Sequence, residues 1–258
     1  MGQRFDGDDR VGPGRLSVVE PLRFWVVPDR KVGGLHERPG QVLVAAFAVA
    51  SVYAAPAPAE TIVDEWANIK VPAPPELKPV TLEPKTTALL VMDLIKQACN
   101  ENARPRCIAS IPKVAKLLAA ARASGVTVIY TIFPSPRPDI PAPVIGDTLP
   151  QVAPKGDEPV ITAFVDKFIL GNKDTGLEKM LKDKGITSVV AVGTAANGAV
   201  LYTSSAAALR GFNVIVPVDG MSGTGQIVYD EQAVAYTLTH APILSPKITL
   251  TSVDMIKF

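Results

Sequence analysis

Two places in this chain have residue types and spacing suited to chemistry: an acid that closes one apolar run, and a small-residue turn that follows another. The acid is Asp93, at the end of Thr87–Asp93, TALLVMD. The turn is Gly193–Ala199, GTAANGA, between the apolar run Ser188–Gly193 and the apolar stretch Gly198–Arg210. Backbone amides at a helix start can hold an oxyanion or a carboxylate. The turn's side chains carry no thiol, imidazole or carboxylate, so it has the form of a nucleophile seat without a nucleophile. A carboxyl at a buried strand end has its pKa raised by desolvation and is a candidate general acid or base. An aspartate in such a place also serves as a helix cap or a turn-stabilising group.

Other chemistry is sparse. The two histidines are His36 and His240, too few for a zinc or iron site built on imidazoles. His240 follows an apolar helical pattern close to Pro242 and reads as a C-terminal cap. Cys99 and Cys107 are the only cysteines. In an oxidising compartment they can pair and staple the loop Asn100–Arg106; the alternative is a reactive Cys99 thiol. The net charge of +1 and the lack of a basic stripe interleaved with aromatics exclude a typical nucleic-acid binder.

These groups must be placed by the elements around them. Thr87–Asp93 reads as a central parallel strand buried on both faces. A helix follows, capped by Ser110, with Ile111, Val114, Leu117, Leu118 and Ala121 on one face and its end at Gly125. Val126–Phe133 is the next strand. Pro134–Pro159 holds eight prolines, and a long loop of this kind is often functional or a lid. Helices are expected at Asp174–Lys184, Gly198–Arg210 and Ile227–Thr239, and strands at Ser188–Gly193, Asn213–Val218 and Lys247–Ser252. Val/Ile-rich strands alternating with helices predict an α/β fold with a parallel sheet, helices on both faces and right-handed crossovers. In such a sheet Asp93 and the 193–199 turn share the carboxyl edge, where ligands bind.

The first 59 residues read apart from this fold. Val42–Ala55 is almost wholly apolar yet shorter than the roughly 20 residues of a membrane span. Arg30, Lys31 and Arg38 flank it, and Ala57 and Ala59 form an A-x-A cleavage pattern. A signal peptide with an extension in front is expected over 1–59, with the coding start downstream of Met1; the alternatives are a membrane anchor or a disordered tail. A Pro-rich arm over 60–84 and a domain over 85–258 follow. The expectation is an exported, periplasmic or secreted protein with no stable membrane span.

The segments TALLVMDLIKQ (87–97), PKVAKLLAAARASGVTVIYT (112–131), GLEKMLKDKGITSVVAVGTAANGAV (176–200) and AALRGFNVIVPVDGMS (207–222) together resemble the isochorismatase-like hydrolase superfamily, also called the cysteine hydrolases. The resemblance implies a parallel six-stranded sheet, a homo-oligomer, and an Asp–Lys–Cys triad acting on amides. It places the triad aspartate on Asp93. Its lysine falls best on Lys167, within Phe164–Phe168, although the spacing is altered; from the residues alone Lys167 is a solvated lysine between Val165 and Phe168. Counting back from Arg210-Gly211 sets Ala199 at the cysteine position. Covalent acyl transfer is then unavailable there.

One branch of the superfamily, the true isochorismatases, also lacks that cysteine. Those enzymes hydrolyse a vinyl ether by proton donation from the aspartate, with water completing the reaction, and Ala199 aligns with their glycine. In this alignment Asn197 and Gly198 are candidate ligand contacts. Metal-binding relatives use Asp and His after the second strand; Pro134–Asp139 has no histidine, so no metal or cofactor is expected. Arg137 there is a candidate bidentate partner for a carboxylate, or an exposed loop arginine. Three functions follow: a hydrolase of a small organic acid or amide acting through Asp93 and Lys167 without a cysteine, a non-catalytic protein binding a small ligand, or a structural oligomer.

Overall fold

The computed structural model describes residues 61–223 and 229–258. The expected signal peptide, His36 and the start of the helix expected at Ile227 lie outside the described residues. In chain order the elements are α1 (Ile62–Glu65), β1 (Val80–Thr81), β2 (Thr87–Met92), α2 (Pro105–Ala123), β3 (Thr127–Ile132), β4 (Val160–Thr162), β5 (Ile169–Leu170), β6 (Lys173–Asp174), α3 (Leu177–Asp183), β7 (Ser188–Thr194), α4 (Leu201–Leu209), β8 (Asn213–Pro217), β9 (Met221–Ser222), α5 (Tyr229–His240), β10 (Ile248–Thr251) and β11 (Ile256–Lys257).

The central sheet runs β10-β8-β7-β2-β3-β4, the expected six strands, and the short β9 adds a seventh beside β7. Every pairing in it is parallel. Strand β2 lies at its middle, and all six of its residues are buried. Its side chains alternate between faces, as a period of two demands. Ala88, Leu90 and Met92 pack with residues of α3, α4 and α5, including Leu181, Ala207 and Leu238. Leu89 and Val91 pack with Ile111, Val114 and Leu118 of α2 on the opposite face. The result is the three-layer α/β fold expected from the sequence, and it explains why the strand is continuously apolar rather than alternating. Among the described residues no helix is long and apolar enough to cross a membrane.

Helix α2 corrects one expectation. It starts at Pro105, not at Ser110. Proline suits the first helical position because its missing N–H is unused there. Ser110 lies inside the helix and donates its hydroxyl to the Cys107 carbonyl at 2.8 Å. Pro112, although interior, is accommodated. The helix does end as expected: Gly125 follows it at φ +77°, the left-handed conformation in which glycine has no Cβ penalty.

The Pro-rich segment after β3 is fastened to the domain. Leu149 N–H donates to the Leu94 carbonyl at 2.9 Å, and Lys96 N–H to that of Asp147 at 2.9 Å. The Tyr130 hydroxyl donates to the Val152 carbonyl at 2.7 Å, and Arg122 pairs with Glu158.

Candidate functional site

The geometry of the site begins with two backbone constraints at the carboxyl edge. Gly193, near the end of β7, has φ +132°, and a Cβ there would lie 2.0 Å from the Met92 carbonyl oxygen. Only glycine fits, so β7 approaches the end of β2 more closely than any other residue would permit. Asp93 directly follows Met92 and adopts φ +55°, a conformation that aspartate visits more readily than most residues. The Asp93 N–H still donates to the Thr131 carbonyl at 3.1 Å on β3. The chain thus bends out of the sheet and carries the carboxyl to its edge. The Thr194–Ala195 peptide in the facing turn is cis.

Lys167 meets this carboxyl from a segment 74 residues away in sequence. Its Nζ lies 2.9 Å from Asp93 Oδ1 and 2.7 Å from Oδ2. It also donates to the carbonyls of Ala163 at 2.9 Å and Phe164 at 2.6 Å. Four acceptors therefore surround one ammonium, and the side chain is wholly buried. The Lys167 backbone is pinned from two sides. Its N–H donates to Thr203 Oγ1 of α4 at 3.2 Å, and its carbonyl accepts from Thr175 Oγ1 at 2.8 Å. Next to it, Phe168 is buried against Phe212, with the Arg210 guanidinium over its ring. The reading of Lys167 as a solvated lysine is thereby corrected: Phe168 anchors the segment in the core, and its neighbour is carried inward.

Burial drives the electrostatics of the pair. Desolvation raises the Asp93 carboxyl to about 6, against the opposing pull of Lys167, the Thr131 hydroxyl and Arg104. The Thr131 hydroxyl donates to Asp93 Oδ1 at 3.0 Å. The same desolvation lowers Lys167, with Asp93 opposing it. Each charge therefore depends on the other to persist away from water.

Asp93 opens onto a cavity of about 350 Å³, lined on the turn side by Thr194, Ala195, Gly198 and Ala199 and on the other by Gln97, Arg104 and Phe133. The volume suits a small organic molecule. Ala199 and Gly198, two of the candidate site residues, thus line this cavity. The Gly198 N–H, however, donates to the Ala195 carbonyl at 3.0 Å inside the turn and is not left to a ligand. Asn197 does not line the cavity; its side-chain amide donates to Asp230 of α5 at 3.2 Å, because the single turn over Ala196–Val200 directs it toward that helix. Arg137 is also away from the cavity: it is exposed and lies 3.4 Å from Asp139, its neighbour in the same loop. His240 stacks on Tyr236, and its Nδ1 sits 2.9 Å from the Tyr236 carbonyl, as a residue closing a helix would.

Cys99 and Cys107 are joined, with Cα atoms 5.4 Å apart, so no thiol is left in the chain. The loop they close carries Arg104, a cavity residue that the sequence reading passed over in favour of Arg137. The signal lay in its position: it sits inside the stapled loop that leaves the edge of β2 directly after Asp93. Among the described residues no three His, Cys, Asp or Glu side chains gather as a metal-binding group would need.

A model of the isochorismatase domain matches residues 87–240, a span that includes Asp93, Lys167 and the 193–199 turn. A structure of an isochorismatase family protein from Burkholderia thailandensis superposes with a TM-score of 0.55 at 22% identity, covering 69% of this chain and 97% of that one. A cysteine hydrolase from Pseudomonas syringae pv. phaseolicola gives 0.58 at 21% identity, covering 70% and 94%. An N-carbamoylsarcosine amidase from Thermoplasma acidophilum gives 0.52 at 22% identity, covering 66% and 97%. At these identities the superpositions establish the shared fold.

Proposed function

The chain belongs to the isochorismatase family, and from that premise we propose that it hydrolyses a small organic acid or amide with Asp93 as the proton-handling group, Lys167 as its electrostatic partner, and no cysteine nucleophile. The observation that carries this reading is the buried Lys167–Asp93 pair at 2.7 Å, its carboxyl lining the cavity and raised by burial to about 6. A carboxyl poised near 6 can give and recover a proton close to neutral pH. Lys167 keeps the charged form accessible after the proton has left.

Two routes use this group without a thiolate. On a vinyl ether, the Asp93 proton passes to the alkene carbon and water adds to the resulting oxocarbenium carbon. The hemiketal then releases the alcohol, and a proton returns to Asp93. On an amide, Asp93 takes a proton from water as the water attacks the carbonyl carbon, then passes it to the departing nitrogen. The first route needs the neutral carboxyl and is fastest below about pH 6; the second needs the carboxylate and is fastest above it. The pH profile therefore distinguishes them. Ala199 at the family's cysteine position excludes the acyl-enzyme route in either case.

Turnover of a panel of vinyl-ether acids and simple amides by the wild type and by Asp93→Asn tests the proposal. The variant is expected to lose about 10²–10⁴-fold in kcat/KM; unchanged activity removes Asp93 from the mechanism. The occupancy of the nucleophile seat by Ala199 also supports a second reading, a protein that binds a small ligand without turning it over. Saturable binding with no turnover across the panel favours that reading.

We further infer export, on the apolar run Val42–Ala55, the Ala57-x-Ala59 pattern and the paired cysteines. N-terminal sequencing of the native protein checks this, and a mature chain that begins at Met1 overturns it. Self-association, which the family resemblance implies, is read out by sedimentation.

A further inference from the structure

Arg104 has an unusual place for a cation. It lines the cavity that Asp93 opens onto. It is half-buried, and its Nε is buried without a hydrogen-bond partner among the described residues. Its guanidinium makes one hydrogen bond among the described residues, from Nη1 to the Ala98 carbonyl at 2.6 Å. No carboxylate lies within ion-pairing distance of it among the described residues, whereas Arg106, Arg122, Arg137 and Arg210 each have one. Burial pulls the guanidinium below its ordinary value, and the negative charge of Asp93 opposes this only from a distance. A buried donor left unpaired calls for an explanation, and a guanidinium presents its donors in a fork that matches a carboxylate.

The segment that holds Arg104 is closed on itself. The Arg104 N–H donates to the Asn100 carbonyl at 2.8 Å, and the Arg104 carbonyl accepts from Cys107 N–H at 2.9 Å. Together with the bond to Ala98, every hydrogen bond among the described residues that sets the pose comes from residues within or beside the loop closed by Cys99–Cys107. Such preorganisation lowers the ordering cost of binding.

We propose that Arg104 is the specificity-determining residue of the cavity: it receives the carboxylate of the ligand, and the Cys99–Cys107 bond holds it in place to do so. This deepens the hydrolase reading above and rests on it, since it narrows the substrate class to small carboxylic acids whose reacting group extends from Arg104 toward Asp93 and the 195–199 turn. Among the described residues Asp93 is the only carboxylate lining the cavity, and Lys167 neutralises it. The charge left for a ligand to meet is therefore the positive one of Arg104.

Probe pairs of equal shape that differ only in charge test the proposal in the full chain without any need for turnover. Benzoate against benzamide, and crotonate against crotonamide, are titrated by calorimetry into the wild type, Arg104→Gln, Arg104→Lys and the paired Cys99→Ser/Cys107→Ser variant. The wild type is expected to prefer at least one acid over its amide by about 10–100-fold. Arg104→Gln abolishes that preference while leaving amide binding in place, and Arg104→Lys restores part of it. The cysteine variant weakens the acids more than the amides.

Acids that bind no better than their amides, no acid binding up to about 10 mM, or a preference unchanged in Arg104→Gln each overturns the proposal. Asp93→Asn separates it from the hydrolase reading. If that variant stays active while Arg104→Gln loses acid preference, the hydrolase reading fails and Arg104 stands. If it is inactive while acid preference ignores Arg104, the reverse holds.

Discussion

Replacing Lys167 with Met probes the site through its energetics, before any substrate is known. Methionine keeps the length and most of the volume of the lysine stem but removes the ammonium. The Asp93 carboxylate then loses both of its contacts with Nζ, at 2.7 and 2.9 Å, and the carbonyls of Ala163 and Phe164 lose their donor. What remains on the carboxyl is the Thr131 hydroxyl. Breaking a buried ion pair from one side costs about 3–5 kcal/mol, because the surviving charge is left uncompensated.

The loss depends on pH, and its sign follows from linkage. Asp93 is already raised by burial from its ordinary 3.8 to about 6, so its contribution to stability is fully present below about pH 4 and is lost as pH rises through about 6. Without the cation the folded-state value moves higher still, while the unfolded value is unchanged. The gap between variant and wild type therefore widens from pH 5 to pH 8. Urea unfolding at both values measures it. With a slope of about 2 kcal/mol/M for a domain of this size, the midpoint at pH 8 should fall by about 1.5–2.5 M, and by less than half as much at pH 5. Adding Asp93→Asn to Lys167→Met should recover stability, as a coupled pair requires. A pH 8 shift below about 0.5 M, or equal shifts at the two pH values, would show that Lys167 does not sustain the charge of Asp93.

Two further outcomes follow from the same geometry. Ala199→Cys places the chain's one free thiol in the cavity beside a lysine-held carboxyl, since both native cysteines are paired. Iodoacetamide should modify it at least about 10-fold faster than the exposed control Ala120→Cys, and equal rates would mean that the turn is not a nucleophile seat. Gly193→Ala drives a Cβ to 2.0 Å from the Met92 carbonyl oxygen at φ +132°, which should cost on the order of 4 kcal/mol or more. That corresponds to a Tm loss of about 10 °C or greater, and a melting point within about 3 °C of wild type would show that the strand ends can part.

The layered fold was legible because its evidence is local. Continuous apolar runs such as Thr87–Met92 and a one-sided helix such as α2 announce buried strands and an amphipathic helix through their own periods. The parallel pairing that follows puts Asp93 and the 193–199 turn on one edge. The start of α2 was less legible, because Pro105 and the stapled loop in front of it compete with Ser110 as signals for a helix terminus. Sequence likewise identified Cys99 and Cys107 as a possible pair, since their spacing of 8 residues lies within one loop.

Which charged side chains reach the site was settled only by tertiary structure. Lys167 meets Asp93 across 74 residues because Phe168 is anchored in the core and Thr203 holds the backbone beside it; nothing in the local sequence separates that lysine from a solvated one. Arg137 and Arg104 are both loop arginines. One is exposed and paired with its neighbour Asp139, and the other is turned into the cavity by the loop that Cys99 and Cys107 close. A side chain's burial depends on what distant segments lay over it. Sequence could therefore name the edge of the sheet where chemistry is possible, while the packing of remote segments against that edge chose the residues that stand there.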